Sequence, residues 1–372
     1  MDIHHSKLSK SGSSRPRMLS ELASSTTARA LFGLASGCAG GVVFKELGLP
    51  LPWTLGSLTA AAVIAIAGLD WKLPGAARNA ARPIIGVMAG SAFTAEVARS
   101  MVHWWEAVLP LVSFLVLITL AGRAYFTRFC GFDKTTAFFA STPGGLSELT
   151  LLGAQCGGNI RQLVLIHSTR IITVVFLVPF VVRLLFDLEG GGRMGPVHVS
   201  DVLSASDWLI LLGCAGLGYV IGLPLKMVGG VMVMPLILSA IVHGTGLTQL
   251  PPPPWLVALV QVVIGCVAGS RFAGIQWHEV RTSVVQGLVW TAIMLLGALA
   301  AAVLCATFVD ASVPALLLAF APGGIAEMTI VAFAMGIEVA FVVCCHVFRS
   351  IFLVAVAPAL YRGLHKVNGD QA

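Results

Sequence analysis

Charge is what this sequence has least of: only 11% of its 372 residues are Asp, Glu, Lys or Arg. A soluble globular domain carries about 25%, so an ordinary cytosolic domain is excluded. Alternation is missing too. The apolar runs are continuous and rich in Leu, Ala and Gly, unlike the alternating segments of roughly ten residues that build a membrane β-barrel. The eight cysteines (Cys38, Cys130, Cys156, Cys214, Cys266, Cys305, Cys344, Cys345) form no C-x-x-C pair. Most sit inside apolar runs, where they read as small packing residues and not as a disulfide or zinc framework. No Gly-Lys-Ser/Thr loop is present to cradle phosphate, so ATP is not expected to drive the protein directly. No His-x-x-x-His or carboxylate cluster offers copper or iron a site. No catalytic residue, metal ligand or cofactor is therefore assigned.

What is abundant is apolar sequence, at 57% of residues with a mean hydropathy of +0.91. A helical span needs roughly 20 mostly apolar residues, and runs approaching that length follow one another along the chain. Six cover about 29–44, 51–68, 83–95, 106–127, 134–155 and 162–186, and six more about 207–224, 230–246, 255–272, 284–309, 312–335 and 338–361. The expected fold is an all-α polytopic membrane protein. Seven of the eight tryptophans (Trp53, Trp71, Trp104, Trp105, Trp208, Trp255, Trp277) fall at or just beyond the ends of these runs, where amphipathic rings settle in a bilayer interface. The net charge of +6 lies mostly between the runs, an orientation signal and not a nucleic-acid patch. Residues 1–28 are Ser-rich and polar and read as a disordered cytoplasmic tail, 187–207 as a Gly-rich linker, and 363–372 as a second tail. Ala35-Ser-Gly-Cys38 is a flawed lipoprotein box, lacking Leu at its first position.

Internal repetition sets the architecture. Thr142-Pro-Gly-Gly-Leu-Ser-Glu-Leu-Thr150 returns as Ala321-Pro-Gly-Gly-Ile-Ala-Glu-Met-Thr329, an offset of 322 − 143 = 179. Gly86-Val-Met-Ala-Gly-Ser-Ala-Phe93 returns as Gly265-Cys-Val-Ala-Gly-Ser-Arg-Phe272, and His167-Ser-Thr-Arg170 as His346-Val-Phe-Arg349, at the same offset. The chain thus reads as a tandem duplication of membrane repeats, 29–186 and 208–362. In the first, Lys and Arg cluster after segment two (Lys72, Arg78, Arg82) and segment four (Arg123, Arg128, Lys134). In the second they move to the loops after segment one (Lys226) and segment three (Arg271, Arg281). The preferred side swaps, which by the positive-inside rule predicts opposite orientations and hence inverted repeats. Inversion without a spanning linker needs an odd number of crossings in each copy. Segment five is then expected to be a re-entrant hairpin broken at its Pro-Gly-Gly, leaving about five transmembrane helices per copy. The alternative is that segment five spans as a discontinuous helix and the short, Gly-rich segment three does not cross. With the basic tail inside, Gly191 of the linker is expected in the periplasm.

Bare backbone at membrane depth is tolerated where it is buried in protein or lines a wet cavity, so the breaks are the candidate site: Pro143, Gly144, Gly145 and Pro322, Gly323, Gly324. Each precedes a half-helix whose free amides and positive dipole end suit an anion. Glu148 and Glu327 stand in the first turn beyond the breaks. They read either as helix-capping carboxylates or as titratable groups that carry a proton or a cation, and are expected near one another at the centre. His167 with Arg170, and His346 with Arg349, share a helix face at i, i+3. Each Arg is expected either to pair with the Glu of its own hairpin or to bind a solute carboxylate. Ser141, Thr142, Thr150 and Thr329 are weaker hydroxyl candidates. Gly86-x-x-x-Gly90 and Gly265-x-x-x-Gly269 read as close-packing motifs without chemistry.

The doubled Pro143-Gly-Gly-Leu-Ser-Glu148 and Pro322-Gly-Gly-Ile-Ala-Glu327, with His167/Arg170 and His346/Arg349 downstream, resemble the AbrB-type bacterial inner-membrane proteins, which consist of two AbrB duplication units. The resemblance covers roughly residues 28–362 and implies a multi-pass protein of the cell inner membrane. Members carry labels such as ammonia monooxygenase or regulator of gene expression. Neither label finds a metal-site constellation or a soluble output domain here, so an enzyme is not expected. The expected function is a secondary transporter of a small anionic or zwitterionic solute coupled to H⁺ or Na⁺. Its expected partners are the lipid bilayer, the solute and the coupling ion, with a homodimer compatible and no nucleic acid.

Overall fold

The computed structural model describes residues 26–68, 73, 75–186, 203–225, 229–273 and 277–369. Among these every element is helical. The first half comprises α1 (Thr26–Glu46), α2 (Pro52–Ile66), α3 (Gly75–Gly90), α4 (Ala95–Ser100), α5 (Trp105–Arg128), α6 (Lys134–Ser141), α7 (Leu146–Gln155) and α8 (Ile160–Phe186). The second comprises α9 (Ala205–Gly222), α10 (Gly230–Gly244), α11 (Pro254–Gly269), α12 (Trp277–Cys305), α13 (Val313–Phe320), α14 (Ile325–Met335) and α15 (Val339–Gly369). Six stretches are long and apolar enough to cross a membrane: Trp105–Arg128, Ile160–Phe186, Ala205–Gly222, Pro254–Phe272, Val280–Cys305 and Val339–Gly363. The protein is a multi-pass membrane protein. Most of the expected linker (187–202), most of the N-terminal tail (1–25), Trp71, Lys72, Lys226 and residues 370–372 lie outside the described residues. The expected tail beyond 362 is instead helical as far as Gly369.

The register of 179 seen in the motifs recurs in the helices. Residues 134–141 shifted by 179 give 313–320, which are the bounds of α13, and 75–90 give 254–269, the bounds of α11. Local chemistry sets several starts. Asp133 accepts from the Thr135 and Thr136 amides at the head of α6, Ser312 from the Ala315 amide at α13, and a Ser204/Asp207 capping box opens α9. Helix α3 begins eight residues earlier than the apolar run suggested. Its first two turns carry Arg78 and Arg82, which hid it from a hydropathy reading, as polarity hid the short α4 capped by Thr94.

The halves interlock through their small-residue helices. A Cβ on Gly86 or Gly90 would run into Met232, Leu236 and Ser239 of α10, and one on Gly265 or Gly269 into Thr54, Ser57, Leu58 and Ala61 of α2. Residue numbers rise together along both pairs, so α3 runs parallel to α10 and α2 parallel to α11. Helices α5 and α12 occupy equivalent places in the two halves and meet with the opposite sense. Tyr125 donates to the Gln286 carbonyl at 3.2 Å and stacks on Trp290, while Phe114 and Ile118 approach Gly297. They are antiparallel.

Each Pro-Gly-Gly segment is a hairpin that returns to the end where it began. The Asn159 amide, beyond α7, donates to Thr136 Oγ1 near the start of α6 at 2.8 Å. In the other half, Ser312 at the head of α13 donates through Oγ to Glu338 Oε2 at 2.8 Å and through its amide to Oε1 at 3.2 Å, and Glu338 lies just beyond α14. A single broken spanning helix would hold those pairs a membrane thickness apart. The hairpin, which is the form re-entry needs, is what segment five adopts.

Candidate functional site

A chain that leaves a helix inside a membrane exposes carbonyls that the helix ladder no longer satisfies. Here two arginines answer them. Arg170 of α8 donates through Nη1 to the Thr142 carbonyl at 2.9 Å and through Nη2 to the Gly144 carbonyl. Arg349 of α15 does the same for Ala321, at 2.6 Å, and for Gly323. Both side chains are about 1% exposed. The ion pair expected between each arginine and the glutamate of its hairpin is not formed. The guanidinium fork is occupied by the break itself: the first carbonyl of each pair also accepts a backbone amide, Gly144 onto Thr142 at 3.0 Å and Gly323 onto Ala321 at 2.9 Å, and the paired donors of the fork match the two carbonyls together. The two clamps lie within electrostatic range of each other, and Phe320 of the second hairpin packs against Phe114 of α5 with ring centroids 5.7 Å apart.

The glycines of the breaks have no positive φ; what marks them is crowding by side chains. Leu149 and Leu353 press on Gly144 and the Met328 side chain on Gly323, while the carboxylates of Glu148 and Glu327 fold back over Gly145 and Gly324. Both glutamates stand at the third position of their half-helices and are partly buried. Neither closes a hydrogen bond or ion pair with a described residue. They are therefore not capping-box partners. Both lie within electrostatic range of Arg82 of α3, and Glu327 also of Arg271, which follows α11.

The histidines differ between halves. His346 donates from Nε2 to the Leu318 carbonyl at 2.8 Å, whereas His167 is fully buried with neither ring nitrogen bonded. The hydroxyl candidates are mostly engaged locally. Ser141 and Thr142 both donate to the Phe138 carbonyl and Thr329 to that of Ile325. Thr150 alone of the four keeps a buried Oγ1 without a partner. A cavity of about 890 Å³ opens beside the mouth of the second hairpin, where Glu96, His243, Gln249 and Glu338 line it. It lies at the edge of the bundle and does not include the breaks.

In the sequence Arg82 and Arg271 stand out only as loop charges. One signal for Arg82 was present: it stands four residues before Gly86 and eight before Gly90, on the helix face that packs inward. No comparable spacing marks Arg271.

Two breaks, each clamped by a buried arginine inside a duplicated helical membrane fold, define a class of polytopic protein. The chain matches the family model described as transition state regulatory protein AbrB over residues 53–365, and it belongs to the AbrB family. It is 26% identical over 365 residues to the protein named YhjN of Bacillus subtilis (strain 168), covering 92% of this chain and 94% of that one. It is 23% identical over 336 residues to a protein named "Putative regulator AbrB" of Escherichia coli (strain K12), covering 86% and 91%.

Proposed function

We propose that this protein is a secondary transporter of the cell inner membrane. It moves a small anionic or zwitterionic solute coupled to H⁺ or Na⁺, with its site where the two Pro-Gly-Gly hairpins approach each other. The observation that carries this reading is the antiparallel contact of α5 with α12. Two helices in equivalent places that run in opposite senses are related by a two-fold axis across the helices, which supports inverted repeats with hairpins dipping in from opposite faces. Inversion in turn supports both termini in the cytoplasm and Gly191 in the periplasm, as the Lys and Arg distribution predicts. Two arrangements of equal build but opposite sense give a carrier two faces between which to alternate. In this reading the half-helix amides at the breaks hold the solute, and Glu148 and Glu327, unpaired and partly buried, take the coupling cation. Arg170 and Arg349 keep the breaks open.

The test is flux into liposomes carrying the purified protein, with a solute panel screened under an imposed proton or sodium gradient. Gradient-driven uptake is expected for the native chain and its loss for Glu148→Gln and Glu327→Gln, with folded protein retained in the membrane. Undiminished flux in both variants would make the carboxylates structural.

A further inference from the structure

We propose that Arg82 and Arg271 form a seat for the anionic group of the solute, a carboxylate, between the two hairpin tips. This rests on the site placement above and names the group it recognises. Helix α3 carries Arg82 on the same face as Gly86 and Gly90, so packing against α10, α11 and α14 takes the guanidinium inward. Arg82 is partly buried and makes no hydrogen bond to a described residue. Arg271 reaches the same region from the 3₁₀ turn Ser270–Phe272 after α11, and its Nη1 is buried without a partner among the described residues. An unpartnered buried guanidinium nitrogen is costly, and a ligand oxygen is the natural partner it lacks.

The local charge points to the same ligand. Arg82 stands in electrostatic range of Arg78, Glu148 and Glu327, and Arg271 of Arg78 and Glu327, three positive groups to two negative, and no pair among them closes. The Arg170 and Arg349 clamps add further positive charge, and the first turns of α7 and α14 contribute their dipole ends. A carboxylate matches the guanidinium fork in shape and sign, and the glutamates then face the solute's ammonium or hold a proton. The seat occurs once, because the duplicated positions hold Gln261 (82 + 179) and Ala92 (271 − 179). One solute per chain follows.

The experiment is thermal unfolding of the purified full chain titrated with sodium acetate, against sodium chloride at equal ionic strength. Acetate is expected to raise the melting temperature saturably and chloride not. The half-saturating acetate concentration should rise about tenfold in Arg82→Gln and in Arg271→Gln, as for loss of one charge-assisted hydrogen bond. The exposed Arg99→Gln should leave it unchanged. If a Gln variant does not fold, Arg82→Lys and Arg271→Lys keep the charge without the fork, and a weakened titration in them supports the seat equally. Acetate and chloride behaving alike in the native chain, or an acetate titration unmoved in the folded variants, overturns it. Saturable acetate binding with no gradient-driven flux would leave the seat standing and overturn the transporter reading. Flux with an unmoved titration does the reverse.

Discussion

The two halves agree in their backbone machinery and differ in their charges. Arg170 and Arg349 make the same pair of bonds to equivalent carbonyls, and Gly86/Gly90 and Gly265/Gly269 make the same close approach to the second helix of the other half. Yet Arg82 answers to Gln261, Arg271 to Ala92, and the bonded His346 to an unbonded His167. Duplication therefore supplied a scaffold whose geometry must match on both sides, while the polar groups were free to diverge. On the proposed reading, the symmetric arginines and glycines hold the fold, and the asymmetric Arg82 and Arg271 set the choice of solute.

The sharpest way to break that comparison is at the clamps. Arg170→Ala and Arg349→Ala each remove two bonds and strand one buried carbonyl, Gly144 or Gly323, since backbone amides still serve Thr142 and Ala321; each is expected to cost about 3–6 kcal/mol, at roughly 1.5–3 for each bond to a charged donor. Monodisperse yield in detergent and melting temperature report this, and a large disparity between the two variants would show the clamps to be unequal. Next come the crossing helices. Gly86→Leu and Gly265→Leu force backbones apart and should each destabilise by about 1–3 kcal/mol or more, whereas Gly213→Ala, with nothing within 4 Å of its Cβ position, should be neutral or slightly stabilising. The smallest effect sharpens the asymmetry. His346→Phe removes a made bond and should lose about 1 kcal/mol, while His167→Phe removes two unsatisfied buried nitrogens and should be neutral or stabilising. Equal losses in the two would erase the distinction between halves.

Much of this was legible in the sequence. The offset of 179 located most helices of the second half from the first, and Pro143 and Pro322 located the breaks, because a repeat in fixed register and a helix breaker in an apolar run are both local signals. The partners of Arg170 and Arg349 were not legible. An arginine in an apolar run demands a partner, but sequence favours a carboxylate, and the two carbonyls appear only once the hairpin has folded. Arg82 and Arg271 were obscured by the same statistics that predict orientation, since a charge near a helix end satisfies the positive-inside pattern whether it faces water or a site.

The exchange of helix partners between halves also bears on how the chain is made. Ser57 packs against Gly265, which the ribosome reaches 265 − 57 = 208 residues later. At about 5–20 residues per second, α2 waits roughly 10–40 s in the membrane before its partner exists. During that interval its small-residue face is open to lipid and to neighbouring chains. A polypeptide cut short after α8 would hold that uncovered face indefinitely, and membrane quality control would meet it as an unfinished product.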